Sequence, residues 1–135
     1  MTLPVARLMR SSVVHVAFAF LAMGSWAAFA NRGHPMPAPL HAGLIQGALS
    51  AVITLLLKRG IEGLARRFSG LTALLAPPVI AGLVSASLLT AIHAIGGTPE
   101  IGRTIAVPLT VATSYAALYN FSLWRTRKAM NHGAG

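Results

Sequence analysis

Eighteen consecutive residues, Leu40 to Leu57, carry no formal charge, and a basic segment, Lys58 to Phe68, follows them directly. At about 1.5 Å per helical residue the uncharged run spans about 27 Å, close to the roughly 30 Å thickness of a bilayer hydrocarbon core. The run therefore reads as a membrane span. The segment after it, with Lys58, Arg59, Arg66 and Arg67, reads as the loop that stays on the cytoplasmic side.

Three further apolar runs have similar lengths. The expected spans are 13–30, 40–57, 78–95 and 105–124. Charged residues make up only 10% of the 135, where soluble domains carry about 25%. The fold class expected is an all-α, integral membrane four-helix bundle forming one domain. The net charge of +9 does not imply a nucleic-acid partner, because basic residues of membrane proteins collect in cytoplasmic loops. With an inside N-terminus, the inner segments hold Arg7, Arg10, Lys58, Arg59, Arg66, Arg67, Arg125, Arg127 and Lys128, nine cations. The outer loops hold two, Arg32 and Arg103. Both termini are therefore expected in the cytoplasm, and the protein in the inner membrane.

Local signals set the expected boundaries. The first span follows a basic lead and ends Ala28-Phe29-Ala30, a small-x-small pattern that also occurs at signal-peptide cleavage sites. Its length exceeds a signal core of about 7–15 residues, so it is expected to stay attached. Pro35, Pro37 and Pro39 alternate and are expected to hold the first loop extended. In the basic loop Ile61, Leu64 and Phe68 fall at helical spacing, and Glu62 precedes Arg66 by four. That pattern predicts a short amphipathic helix lying at the membrane surface between the second and third spans. The pair Pro77-Pro78 is expected at the start of the third span, in its first turn. Gly96-Gly97 should end that span, with Thr98 as N-cap and Pro99 as first residue of the next helix.

Two polar stripes stand out at about 100° per residue. On the second span Gly43, Gln46, Gly47, Ser50 and Thr54 share a side. Thr110, Thr113, Ala117, Asn120 and Trp124 do so on the fourth. Gly43, Gln46, Gly47, Ser50, Thr110 and Thr113 are expected to pack helices together, since small and weakly polar residues permit close approach. Toward the basic end, Thr54 and Asn120 lie near Lys58, Arg59, Arg125 and Arg127. Those six residues form the candidate site for a phosphate headgroup, with hydrogen-bond donors in the membrane and cations at its edge.

Catalysis and cofactors find little support. Glu62 and Glu100 are the only acids and fall on opposite sides of the predicted topology, so no carboxylate pair is available for acid–base work. The chain has no cysteine. His34, His41, His93 and Glu100 could gather on the outer side, but their spacing fits no metal motif. His15 and His93 sit near span ends and are read as hydrogen-bonded or interfacial histidines. No catalytic residue, metal or cofactor is therefore assigned.

The layout resembles the GtrA-like family of small four-span membrane proteins. The resemblance rests on Arg66-Arg67-Phe68 before the third span, a short outer loop, and the ending Tyr119-Asn120-Phe121-Ser122-Leu123-Trp124-Arg125. The second span ends Leu55-Leu56-Leu57-Lys58-Arg59 without the matching Asn or aromatic, so Asn120 and Arg125 are the positions that carry over. The resemblance implies a non-enzymatic protein that moves or presents a lipid or polyprenyl-linked carrier, with membrane lipids and a glycosyltransferase or other membrane protein as partners. The alternative is a small accessory or assembly subunit of a larger membrane complex. Self-association stays open under either reading.

Overall fold

The structure, a computed structural model, describes residues 12–133. Arg7 and Arg10, counted above toward orientation, lie outside the described residues. The described chain forms four helices: α1 (Ser12–Ala30), α2 (Ala38–Arg67), α3 (Gly70–Ile95) and α4 (Ile101–Gly133). α1, α2 and α3 are long and apolar enough to cross a membrane, judged by length and composition. α4 falls short of that standard because Thr110, Thr113, Ser114, Tyr115, Tyr119, Asn120 and Ser122 interrupt its apolar stretch.

The helices pack as two hairpins, α1 with α2 and α3 with α4, and α2 touches every other helix. The interior is built mainly from small residues, Ala27, Ala30, Ala42, Ala65, Ala73 and Ala116. Ile61 and Leu89 are the large aliphatics among the fully buried side chains. Phe18, Leu21, Leu56, Leu83, Val84 and Leu118 point outward. A water-soluble chain would bury such residues. Large aliphatics outside and small or polar residues inside is the arrangement suited to a lipid surround.

α1 and α2 approach closely at their glycines. A Cβ built on Gly24 would stand 2.9 Å from the Gly43 carbonyl oxygen, and one on Gly43 would stand 2.9 Å from the Gly24 oxygen. Gly47 faces the Phe20 ring at 3.1 Å on the same construction. Gly43, Gln46, Gly47 and Ser50 are all buried, as the stripe on the second span predicts. Thr113 packs against Gly82 of α3, also as expected. Thr110 does not pack: it is exposed, and its hydroxyl donates to the Ala106 carbonyl of its own helix. The buried side of α4 is Thr104, Pro108, Ala116 and Asn120, rotated from the stripe that included Thr110.

Several boundaries differ from the sequence reading. α2 is one unbroken helix of 30 residues, about 45 Å long. The basic segment is its continuation, not a separate helix lying across the membrane surface. Its apolar residues turn inward: Ile61 and Ala65 are buried in the bundle. Glu62 does not pair with Arg66 but accepts a hydrogen bond from the Tyr119 hydroxyl of α4. The first loop is not extended either. His34 N–H donates to Asn31 and Ala38 N–H to Pro35, which makes consecutive turns, and Pro39 falls inside the first turn of α2.

α3 begins at Gly70, two turns before the expected start, so Pro77 and Pro78 lie in the helix interior. Gly70 has φ +62°, a left-handed conformation that suits glycine and lets Phe68-Ser69 join α2 to α3 in two residues. At the other end α3 stops at Gly96-Gly97 as expected. Gly97 has φ +72°, and Thr98 N–H donates to His93 O while Gly97 N–H donates to Ala94 O. Those two bonds make a Schellman ending. Thr98 thus belongs to the C-terminal cap of α3 and is not the N-cap of α4, which starts at Ile101. The Asn31 side chain does that work: its Oδ1 accepts from Glu100 N–H at 3.0 Å.

Candidate functional site

An interior proline removes the N–H that would reach the carbonyl four residues earlier. Pro77 and Pro78 therefore free the carbonyls of Ala73 and Leu74. Asn120 of α4 answers both. Its single Nδ2 donates to Ala73 O at 2.9 Å and to Leu74 O at 2.8 Å. Asn120 is fully buried, and its Oδ1 has no partner among the described residues. The proline pair is tolerated deep in α3 because the amide supplies the two missing donors. Asn120 thereby clamps α4 to α3.

The same two helices open into a cleft one turn further along. It has a volume of about 400 Å³. One wall is the start of α3, with Ser69, Gly70 and Leu71, and the other is the last turns of α4, with Trp124, Arg127, Lys128, Asn131 and His132. Positions 124, 127, 128 and 131 fall on one helix face, so sequence spacing alone aligns an indole, two cations and an amide. Trp124 Nε1 donates to Gly70 O at 3.1 Å and fixes the two walls together. Arg127 donates to Ala65 O at 2.9 Å and reaches Phe68 O, at the end of α2 where carbonyls lack helical partners. The Lys128 ammonium sits 4.9 Å from the Trp124 ring centre. The first N–H groups of α3 have no helical acceptor and carry the positive end of the helix dipole. Those donors and cations are of the kind that can bind an oxyanion.

Of the six residues assigned to a site from the sequence, only Arg127 lines this cleft. Asn120 lies one turn inward, engaged with α3. Thr54 is separated from that level: Tyr119, next to Asn120, meets Glu62, which is eight residues, about 12 Å, beyond Thr54 along α2. Lys58, Arg59 and Arg125 are exposed and outside the cleft. Sequence reasoning missed Ser69, Gly70, Asn131 and His132. The periodicity of Trp124, Arg127, Lys128 and Asn131 was available to find one of the cleft's two walls. The turn at Ser69-Gly70 was not, since its place depends on α2 running unbroken to Arg67.

The opposite end of the bundle holds two polar networks. His93 is fully buried, with Nε2 2.9 Å from Gln46 Oε1 and Nδ1 2.7 Å from Thr98 Oγ1. Gln46 Nε2 donates to Ser50 at 2.8 Å, which leaves its oxygen as acceptor and assigns the ring proton to Nε2 of His93. This chain ties α3 and its C-terminal turn to α2. In the second network Asn31 Nδ2 donates to Thr104 Oγ1 and to Ala27 O. His34 pairs with Glu100 at 3.2 Å on the surface. His34, His41, His93 and Glu100 do not gather as a metal site. His93 is committed to Gln46 and Thr98, and among the described residues no three of His, Cys, Asp and Glu converge at metal-binding distance. His15 is exposed on α1.

Comparison with protein-family models, curated proteins and solved structures found no match to this chain.

Proposed function

We propose that this chain is a non-enzymatic, multi-pass protein of the inner membrane, with α1 retained and all four helices crossing. On this reading both termini are cytoplasmic, and the cleft between Ser69–Leu71 and Trp124–His132 takes the phosphate head of a lipid or lipid-linked carrier. The GtrA-like layout supports a polyprenyl-linked carrier as the cargo. The observation that carries the reading is the cleft itself. Arg127 and Lys128 meet the open N-terminus of α3 beside an aromatic ring that both walls hold in place. Arg grips phosphate through two N–H groups and Lys as a point charge. The exposed aliphatics Leu71 and Leu75 continue along α3 from the cleft, where an acyl or prenyl chain would lie.

Generic attraction of a basic end to anionic lipid, about 1 kcal/mol per cation, would not distinguish one cation from another. A site does. Native mass spectrometry of the protein purified from membranes should show a co-purified anionic lipid. Lys128→Gln and Arg127→Gln should lower its occupancy several-fold. Arg66→Gln, which removes the same charge from the same end but outside the cleft, should leave it unchanged. Equal losses for Lys128→Gln and Arg66→Gln would remove the site and favour the accessory-subunit reading.

A further inference from the structure

The end of the bundle away from the basic cleft carries a second cleft, of about 280 Å³, between the α1–α2 turn and the start of α4. Its charged lining is of both signs: Arg32 and Arg103 supply guanidinium groups, Glu100 a carboxylate and His34 an imidazole. A plain anion entering there would meet Glu100, and a plain cation would meet two guanidiniums. A molecule carrying both charges satisfies both. We propose that this cleft binds a zwitterion with an oxyanion and an ammonium group a few bonds apart, the chemistry of an ethanolamine phosphate head.

The backbone that carries two of the charged side chains is held by buried structure. Glu100 is fixed at both backbone groups: its N–H donates to Asn31 Oδ1, and its carbonyl accepts from Thr104 Oγ1. The Arg103 carbonyl accepts the Trp26 indole N–H at 2.9 Å. Asn31 and Thr104 are fully buried and bonded to each other. The Arg32 guanidinium lies 3.8 Å over the Phe29 ring and donates once to Phe29 O, leaving further N–H groups for an oxyanion. The Arg103 side chain has no carboxylate or hydrogen-bond partner among the described residues, and one Glu100 oxygen is engaged by His34. The Arg32 guanidinium and the Glu100 carboxylate are thus held before a ligand arrives, and the backbone that carries Arg103 is fixed, which lowers part of the ordering cost of binding. Exposed Phe29 and Met36 beside the cleft offer apolar surface for the rest of a lipid.

The test uses the full chain carrying Arg127→Gln and Lys128→Gln, so that the basic cleft does not compete, in maltoside micelles and titration calorimetry with dihexanoyl phosphatidylethanolamine, dihexanoyl phosphatidylglycerol and O-phosphoethanolamine. The ethanolamine lipid should saturate one site and bind more tightly than the glycerol lipid. Glu100→Gln should weaken the ethanolamine lipid by about tenfold or more, as loss of a charge-assisted bond implies, and should not weaken the glycerol lipid. Arg103→Gln, at a side chain with no partner to lose among the described residues, should weaken both. Tight binding of O-phosphoethanolamine would identify the ligand as the free zwitterion, and its failure beside binding of the lipid would identify a headgroup. Equal affinity for the two lipids, or an ethanolamine affinity unchanged by Glu100→Gln and Arg103→Gln, would overturn the proposal. Neither result bears on the basic cleft, which uses other residues at the other end.

Discussion

Asn120→Ala should lower the thermal midpoint of the purified protein sharply, and restoring backbone donors in α3 should remove most of that loss. The first half follows from the two carbonyls that Pro77 and Pro78 leave open and that the Asn120 amide fills. An orphaned buried acceptor costs on the order of 1–3 kcal/mol in a soluble core, and hydrogen bonds between membrane helices contribute about 0.6–2 kcal/mol. Losing both bonds should therefore cost roughly 1–4 kcal/mol. The second half is the sharper part. With Pro77→Ala and Pro78→Ala, residues 77 and 78 regain N–H groups, and Ala73 and Leu74 can be satisfied within α3. In that background Asn120→Ala should cost much less. A double-mutant cycle measures the difference as a coupling energy. Equal losses in both backgrounds would mean that Asn120 does not serve the proline pair.

Glycine substitutions along α2 should rank by what a Cβ would strike. Gly43→Ala places the new atom 2.9 Å from the Gly24 carbonyl oxygen and 3.3 Å from Ala28 Cβ. A backbone oxygen cannot swing aside, so α1 must move away from α2. Overpacking of this kind costs about 1–3 kcal/mol, against about 1 kcal/mol gained from replacing a helical glycine. Gly47→Ala meets the Phe20 ring at 3.1 Å, a side chain that can shift, and should cost less. Gly63→Ala meets nothing within 4 Å, so only the propensity gain remains, and stability should rise by up to about 1 kcal/mol. The midpoints should therefore fall in the order Gly63→Ala, wild type, Gly47→Ala, Gly43→Ala. For Gly43→Ile the α1–α2 hairpin should not assemble. A Gly43→Ala protein as stable as Gly63→Ala would contradict the close approach.

How much of this was legible in the sequence depends on the distance over which each feature is decided. The stripe Gly43-Gln46-Gly47-Ser50 is local, and its burial follows from helical periodicity. The stop at Gly96-Gly97 is local too, because a glycine at positive φ ends a helix by itself. The helical course through Pro77-Pro78 is not local. Local rules place a proline pair in a first turn, and what overrides them is an amide 46–47 positions away in the sequence. The cap of α4 was missed for the same reason. Thr98 looked like the capping residue, but Asn31, 69 positions away, accepts the Glu100 N–H while Thr98 turns to His93. In the basic segment, the helical spacing of Ile61, Leu64 and Phe68 predicts a helix whose apolar side faces a membrane surface. Inside the bundle Ile61 packs against neighbouring helices, so α2 continues. Of the six residues that the sequence groups as a candidate phosphate site, Arg127 lines the cleft. The cleft's other wall could not be found until α3 was known to begin at Gly70.

The proposed function requires four helices to cross the bilayer with the basic ends of α2 and α4 together in the cytoplasm. The chain has no cysteine, so single introduced thiols report position without background. Thiols placed at Ala38, Gly63 and Ala129 should be tested in intact cells with a membrane-impermeant maleimide. The account predicts labelling at Ala38 and none at Gly63 or Ala129 until the membrane is opened. Labelling at Gly63 would reverse the orientation. Labelling at Ala129 together with Ala38 would show that α4 does not cross as the others do, and either result would contradict the account.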